Sequence, residues 1–203
     1  MPKVAKVKDK WKSKKWIDVL APQVIGNIVV AKIPVNEDAS PVGRTVPISL
    51  YSIFKENPEY NNIKLILQIV KVEGERAETI IKRIEYAREI YRSMIRRGSS
   101  LVEWISTHET NDGYKVRLHV AAFTPERINW SKMKEMRRAM EEKLLEMVPN
   151  MTYDQLTNSL LTNKLLDEIT NSVKKIYPVK NVILVKMKLL TPLVKERAVE
   201  AAY

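Results

Sequence analysis

The hydrophobic period of this chain changes at about Thr124, and that switch limits the folds open to it more than any other feature. Up to Phe123 the apolar residues fall in short runs. Val24–Ala31, Arg44–Leu50, Ile63–Val72 and Ala77–Ile84 are rich in Val, Ile, Leu and Thr, the composition of strands. Asn36–Gly43, Asn57–Asn62 and Glu73-Gly74-Glu75 separate them with turn residues. Leu101–Glu109 and Tyr114–Phe123 read as the arms of a hairpin turning at Asp112-Gly113. Beyond Thr124 the spacing is helical. Thr124-Pro125 reads as an N-cap followed by proline at the first helical position, and Met133, Met136, Met140, Leu144 and Met147 form an apolar stripe. Thr152 and Gln155 match a capping box that opens a helix to about Leu161. Another helix runs from about Lys164 to Lys175 and stops before Pro178. Val179–Leu190 closes the chain as a strand, with Lys186 and Lys188 on one side and Ile183, Val185, Met187 and Leu189 on the other. Strands, then helices, then a returning strand predict an α+β fold in which the last strand rejoins the first sheet.

If Asp112 and Gly113 alone make the turn, His108 faces Arg117 and Ser106 faces His119. Lys115, Arg117, His119, His108 and Ser106 then share a polar, partly basic face, while Val116, Leu118, Val120 and Ile105 share the buried one. A zinc site on the two histidines lacks a third ligand, and zinc takes three or four from protein, so no metal is expected.

The helix predicted at Glu85–Gly98 carries the sharpest functional signal. Arg88, Arg92 and Arg96 recur every fourth residue, one ridge of a helix, while Ala87, Ile90, Tyr91, Met94 and Ile95 fall on a buried side. Gly98 supplies a left-handed residue to end it. Guanidinium groups are always charged and fit phosphate oxygens. The plain alternative is a solvated basic face partly balanced by Glu85 and Glu89. A second, weaker basic surface lies opposite the methionine stripe, with Lys132, Lys134, Arg137, Arg138 and Lys143 offset by Glu141 and Glu142.

The whole-chain charge favours the phosphate reading. The 203 residues carry a net charge of +11, in the range of nucleic-acid binders. Residues 1–15 alone hold Lys3, Lys6, Lys8, Lys10, Lys12, Lys14 and Lys15 against Asp9, or +6, and read as a basic arm that orders on a polyanion. Cysteine is absent, which excludes disulfides, thiolate nucleophiles and cysteine zinc sites and fits a reducing cytosol. No apolar run suits a secretory signal or a membrane span, and Trp11 and Trp16 are a thin complement for a membrane surface. The five glycines are scattered, so no phosphate-binding loop is present. No catalytic constellation appears, and no run of alternating aromatics marks a base-stacking strand. An RNA binder that reads backbone and shape, without enzymatic activity or cofactor, is the reading left.

Taken in order, several segments resemble the archaeal and eukaryotic small-subunit ribosomal protein family S-three-A-e, S-one-e in unified naming. They are Lys14-Lys15-Trp16 with Ala21-Pro22 and Gly26, Gly43-Arg44 with Ser49-Leu50, and the block Tyr91–Ser100. Asp112-Gly113-Tyr114 with Arg117, and Ile176-Tyr177-Pro178 with Lys186 and Lys188, complete the set. Val24 stands where the family has an aromatic residue, and Asn163-Lys164 where it has Gly-Lys. The chain also lacks the long C-terminal extension of eukaryotic members, so an archaeal member is expected.

The resemblance implies a β-barrel-like sheet of about six to seven strands with flanking helices. It implies a cytoplasmic ribosomal protein bound to small-subunit rRNA on the platform near the mRNA exit. Neighbouring ribosomal proteins and mRNA near that exit would be its partners. The expected organisation is a basic tail at 1–15, one domain at 16–190 and a C-terminal tail at 191–203. Within the domain, 16–123 is mainly β, 124–177 helical and 178–190 the returning strand. The lysine tail, Arg44, Arg88, Arg92, Arg96, Arg97, Lys115, Arg117, Lys186 and Lys188 are the expected RNA contacts. From charge alone, a free-standing RNA chaperone or translation factor is the alternative.

Overall fold

A long antiparallel pair, β4 (Ile63–Glu73) and β5 (Arg76–Tyr86), forms the spine of the computed structural model, which describes residues 11, 14–36, 40–55 and 57–191. Gly74, at φ +60°, makes the tight turn between them, a conformation an L side chain rarely adopts. One edge of β5 carries β4, and β3 (Thr45–Ser49) pairs with the far side of β4. The other edge of β5 is shared. At its start Arg76 and Ala77 pair in parallel with Asp18 and Val19 of β1 (Lys14–Leu20), which pairs in turn with β2 (Val29–Asn36). At its end Arg83–Glu85 pair with β8 (Asn181–Leu189), followed by β7 (Lys115–Phe123) and β6 (Leu101–Glu109). The result is an α+β fold around an eight-stranded, branched and unclosed sheet. The closing strand does rejoin the first sheet, between β5 and β7.

The core is divided. Ile17, Val19, Ile33, Val35, Val46, Ile69 and Ala77 form one cluster among β1–β5, whose Leu65, Leu67, Ile81 and Ile84 belong to the other core. In the other half, α2 (Trp130–Met147), α3 (Tyr153–Leu161) and α4 (Lys164–Lys174) cover one sheet face. Met136, Met140 and Leu144 of the stripe are fully buried there with Val116, Leu118 and Met187. The capping box is present, with the Thr152 side chain accepting from Gln155 N–H and the Gln155 side chain accepting from Thr152 N–H. The hairpin tip ties the layers together. Asp112 Oδ2 accepts from Tyr153 N–H at 2.8 Å, and Asn111 N–H donates to the Met151 carbonyl at 3.1 Å. The buried Tyr153 hydroxyl donates to the Ile81 carbonyl, and burial raises its pKa far above a phenol's usual value.

Several elements differ from the sequence reading, each for a local reason. β1 carries a weak strand signal in the sequence, because only Ile17 and Val19 of its seven residues point into the core. β2 starts at Val29, since 23–25 form a 3-10 turn and Gly26 and Asn27 are left-handed. It continues to Asn36 through Pro34, tolerated because β2 is an edge strand. Thr124-Pro125 does not cap α2, which begins at Trp130 after Asn129. Thr124 is buried and its Oγ1 accepts from Ser100 N–H at 3.0 Å, pinning the end of β7 to the start of β6.

The 106–120 hairpin is one residue out of the expected register. Gly113 N–H donates to the Thr110 carbonyl at 2.9 Å and Thr110 N–H to the Tyr114 carbonyl at 3.0 Å, so three residues make the loop, with Gly113 at φ +77°. His108 therefore pairs with Val116, Ser106 with Leu118 and Ile105 with His119. A one-residue slip turns every β6 side chain over. Ser106 and His108 face inward, 2.6 Å apart between Oγ and Nε2, while Ile105 is 56% exposed. Burial lowers the His108 pKa, against an opposing pull from Glu141. A register shift between His119 and Val120 likewise splits β8, sending Leu184 to the helix-covered core with Met187 and Leu189 while Ile183 and Val185 pack on the opposite face.

Asn163, which stands where the resembled family has glycine, is left-handed at φ 60° between α3 and α4. Asparagine tolerates that region and β-branched residues do not. Asn163→Gly is expected to stay within about 0.5 kcal/mol of the parent and Asn163→Val to cost about 1–2 kcal/mol in denaturant unfolding. A valine variant as stable as the parent would refute this account of the turn.

Candidate nucleic-acid interface

Pleating sends alternate residues of β5, β8, β7 and β6 to the face away from α2–α4. Pairing sets them in rows. Arg83 pairs with Lys188, Lys188 with Arg117 and Arg117 with Thr107, so three cations stand side by side on adjacent strands. The next row is Glu85, Lys186, His119 and Ile105. Neighbouring strands lie about 4.8 Å apart, and like charges directly opposite oppose pairing. Glu85 offsets part of this repulsion by accepting from Arg83 Nη1 at 2.9 Å and Lys186 Nζ at 2.8 Å. Burial pushes the Glu85 carboxyl up, but the two cations together outweigh it and hold the group below its usual range. Lys188 and Arg117 form no ion pair among the described residues, and Arg117 Nε only reaches Thr107 Oγ1 at 3.4 Å.

The arginine helix lies on the same face. α1 spans only Arg88–Met94, and Tyr91 and Met94 pack on Ala121, Phe123 and Ile183 beyond the cationic rows. Tyr91 meets Phe123 edge-to-face at 5.9 Å and donates its hydroxyl to Glu103 Oε1, which lies 3.5 Å from His119 Nε2. Burial and then the Glu103 carboxylate raise the Tyr91 pKa, so it stays a donor. The predicted three-arginine helical ridge is corrected to two. Arg88 and Arg92 are exposed on the helix, whereas Ile95 is already extended and 47% exposed. Arg96 and Arg97 lie in the following turn, closed by Ser99 N–H on the Arg96 carbonyl, with Gly98 at φ +82°. Gly98 therefore shapes that turn and does not end the helix. Glu85 balances strand cations instead of the ladder.

The remaining predicted residues fall elsewhere. Lys14 and Lys15 begin β1, where Lys14 Nζ sits 3.5 Å from the Trp11 ring centroid. Arg44 Nη1 donates to the Pro34 carbonyl at 3.1 Å, beside that same end of the β1–β2 pair. Lys115 is exposed at the hairpin end of the basic face. Lys3, Lys6, Lys8, Lys10 and Lys12 lie outside the described residues. The structure thus gathers Arg88, Arg92, Arg96, Arg97, Lys115, Arg117, Lys186 and Lys188 on or beside one face, and sets Lys14, Lys15 and Arg44 apart. The sequence reading missed Arg83. The alternation Arg83-Ile84-Glu85 signals an outward arginine, but the β5–β8 pairing that gives it meaning spans about a hundred residues.

No cluster of three or more His, Cys, Asp or Glu suited to a metal occurs among the described residues. No helix among them is long and apolar enough to cross a membrane. A cleft of about 580 Å³ between α1, the 58–62 turn and the α3–α4 junction has a mixed lining that includes Ile90, Leu166, Asp167 and Lys180.

Residues 3–192 match the model of the Ribosomal S3Ae family. The chain is 40% identical over 186 residues to the small ribosomal subunit protein eS1 of Ignicoccus hospitalis, covering 91% of this chain and 87% of that protein. The Desulfurococcus amylolyticus protein of the same name is 37% identical over 92% of this chain and 87% of its own length. That of Methanothermobacter thermautotrophicus is 34% identical, over 91% and 94%.

The Glu85 geometry predicts a pH signature. Because the folded carboxyl titrates below its ordinary value of 4.5, its stabilisation is present above that value and is lost as pH falls through the folded one. Glu85→Gln is expected to lower the thermal midpoint at pH 7, with the difference from the parent shrinking below about pH 4. A difference that grows in acid would contradict the bridging role.

Proposed function

The chain belongs to the Ribosomal S3Ae family, and on that premise we propose that it is a structural constituent of the small ribosomal subunit that binds small-subunit rRNA through phosphate and shape contacts. The observation that carries this reading is the row Arg83–Lys188–Arg117 beside the arginines of α1, in which Arg83 is bridged by Glu85 while Lys188 and Arg117 form no ion pair among the described residues. Cations fixed on strands repel one another in the free protein, and a phosphate backbone laid across them removes that repulsion while releasing counterions. Lys115, Lys186, Arg96 and Arg97 extend the track.

The basic residues 1–15, with Arg44 beside the start of β1, form a second arm on the RNA. The site lies on the platform near the mRNA exit, beside neighbouring ribosomal proteins and mRNA, in the cytoplasmic ribosome. The protein acts by positioning RNA and catalyses no reaction.

Sedimentation of native lysate at low and high salt tests this proposal. The protein is expected to co-migrate stoichiometrically with small subunits and to survive a high-salt wash. Recovery mainly at the top of the gradient, or stripping by modest salt, would favour an RNA chaperone or translation factor.

A further inference from the structure

On the helical layer, away from the basic sheet face, stands an indole with no role in the fold. Trp130, at the start of α2, is 69% exposed, the highest value among the large apolar side chains described. Arg137, two turns along the same helix, holds its guanidinium carbon 5.1 Å from the indole ring centroid. Arg137 is itself anchored, its Nε donating to the Glu103 carbonyl of the edge strand β6 at 3.3 Å. One ring face is thus covered by a fixed cation, and exposure this high requires the other to be open. Arg127, Lys134 and Arg138 are exposed nearby on the loop and helix and form no ion pair among the described residues, against the carboxylates Glu126 and Glu135.

We infer that Trp130 and Arg137 form a stacking platform for one unpaired RNA base. The base lies on the open indole face, and the surrounding cations hold its flanking phosphates. Stacking accepts any base because each has a π-face, and a guanidinium on the far side strengthens the electrostatic fit. A flat ring stacked on Arg137, on a segment whose Arg127, Lys134 and Arg138 form no ion pair among the described residues, suits a polyanion that carries aromatic groups better than it suits an apolar protein surface. The proposal rests on the RNA-binding reading and adds a single-strand contact on a second side of the molecule.

Fluorescence anisotropy of the full chain with a labelled oligoadenylate hexamer tests it, using an abasic ribose-phosphate hexamer as control. Trp130→Ala should weaken hexamer binding about tenfold, Trp130→Phe should weaken it less, and neither should change abasic binding. Unaltered thermal unfolding would show that both variants fold. Equal hexamer affinity in the parent and Trp130→Ala, or an equal loss on the abasic control, overturns the platform. So does an alanine variant that keeps its RNA affinity but loses a neighbouring ribosomal protein on assembly. A small-subunit rRNA fragment separates the two claims. A parent chain that fails to bind it sinks the RNA reading as a whole, whereas a parent that binds it beside a silent Trp130→Ala sinks the stacking site alone.

Discussion

The placement of β8 between β5 and β7 is the contact on which the rest of the molecule depends. β5 gives the first part of one edge to β1 and the last part to β8, so a single strand belongs to both halves of the sheet. β8 then joins the helix-covered β6–β7 hairpin to that spine. Its buried side, Leu184, Met187 and Leu189, completes the core under α2–α4. Its other side brings Lys186 and Lys188 between cations that are remote in sequence. Without this pairing the hairpin would lack its connection to β5, and Arg83 and Arg117 would not share a surface.

The two faces of that sheet segment follow opposite physical rules. The helix-covered face is apolar, with the Ser106–His108 pair and the Tyr153 hydroxyl on the Ile81 carbonyl as matched polar exceptions and the Trp104 indole Nε1 as an unmatched one. The opposite face gathers like charges with Glu85 as the carboxylate bridging two of them. Such an arrangement opposes folding slightly and gains its return on binding, since the cations are held on strands before phosphate arrives. α1 shares the logic. Tyr91, held by Phe123 and Glu103, anchors the helix to the sheet while its arginines stay in solvent.

Much of the fold was legible because its signals are local. The Thr152–Gln155 box, the Gly74 turn, the methionine stripe and the strand status of 101–109 depend on residues a few positions apart. The errors came from single-residue effects with large consequences. One extra loop residue before Gly113 inverted the faces of β6, and one irregularity opposite His119 divided β8 between two cores. Thr124 carries the residue type of a cap, yet its hydroxyl accepts from Ser100 N–H, 24 residues upstream and just before β6. Arg88 and Arg92 were visible as a basic ridge, but the row Arg83–Lys188–Arg117 exists only through long-range pairing.

The central claim is that the face built by α1, β5, β8 and β7 meets RNA. Lysine acetylation footprinting, read by mass spectrometry on the free protein and on intact small subunits, tests it most directly. Lys115, Lys186 and Lys188 should lose reactivity on assembly and regain it when the subunit is treated with ribonuclease. Lysines on that face that react equally in the free and assembled states would contradict the account.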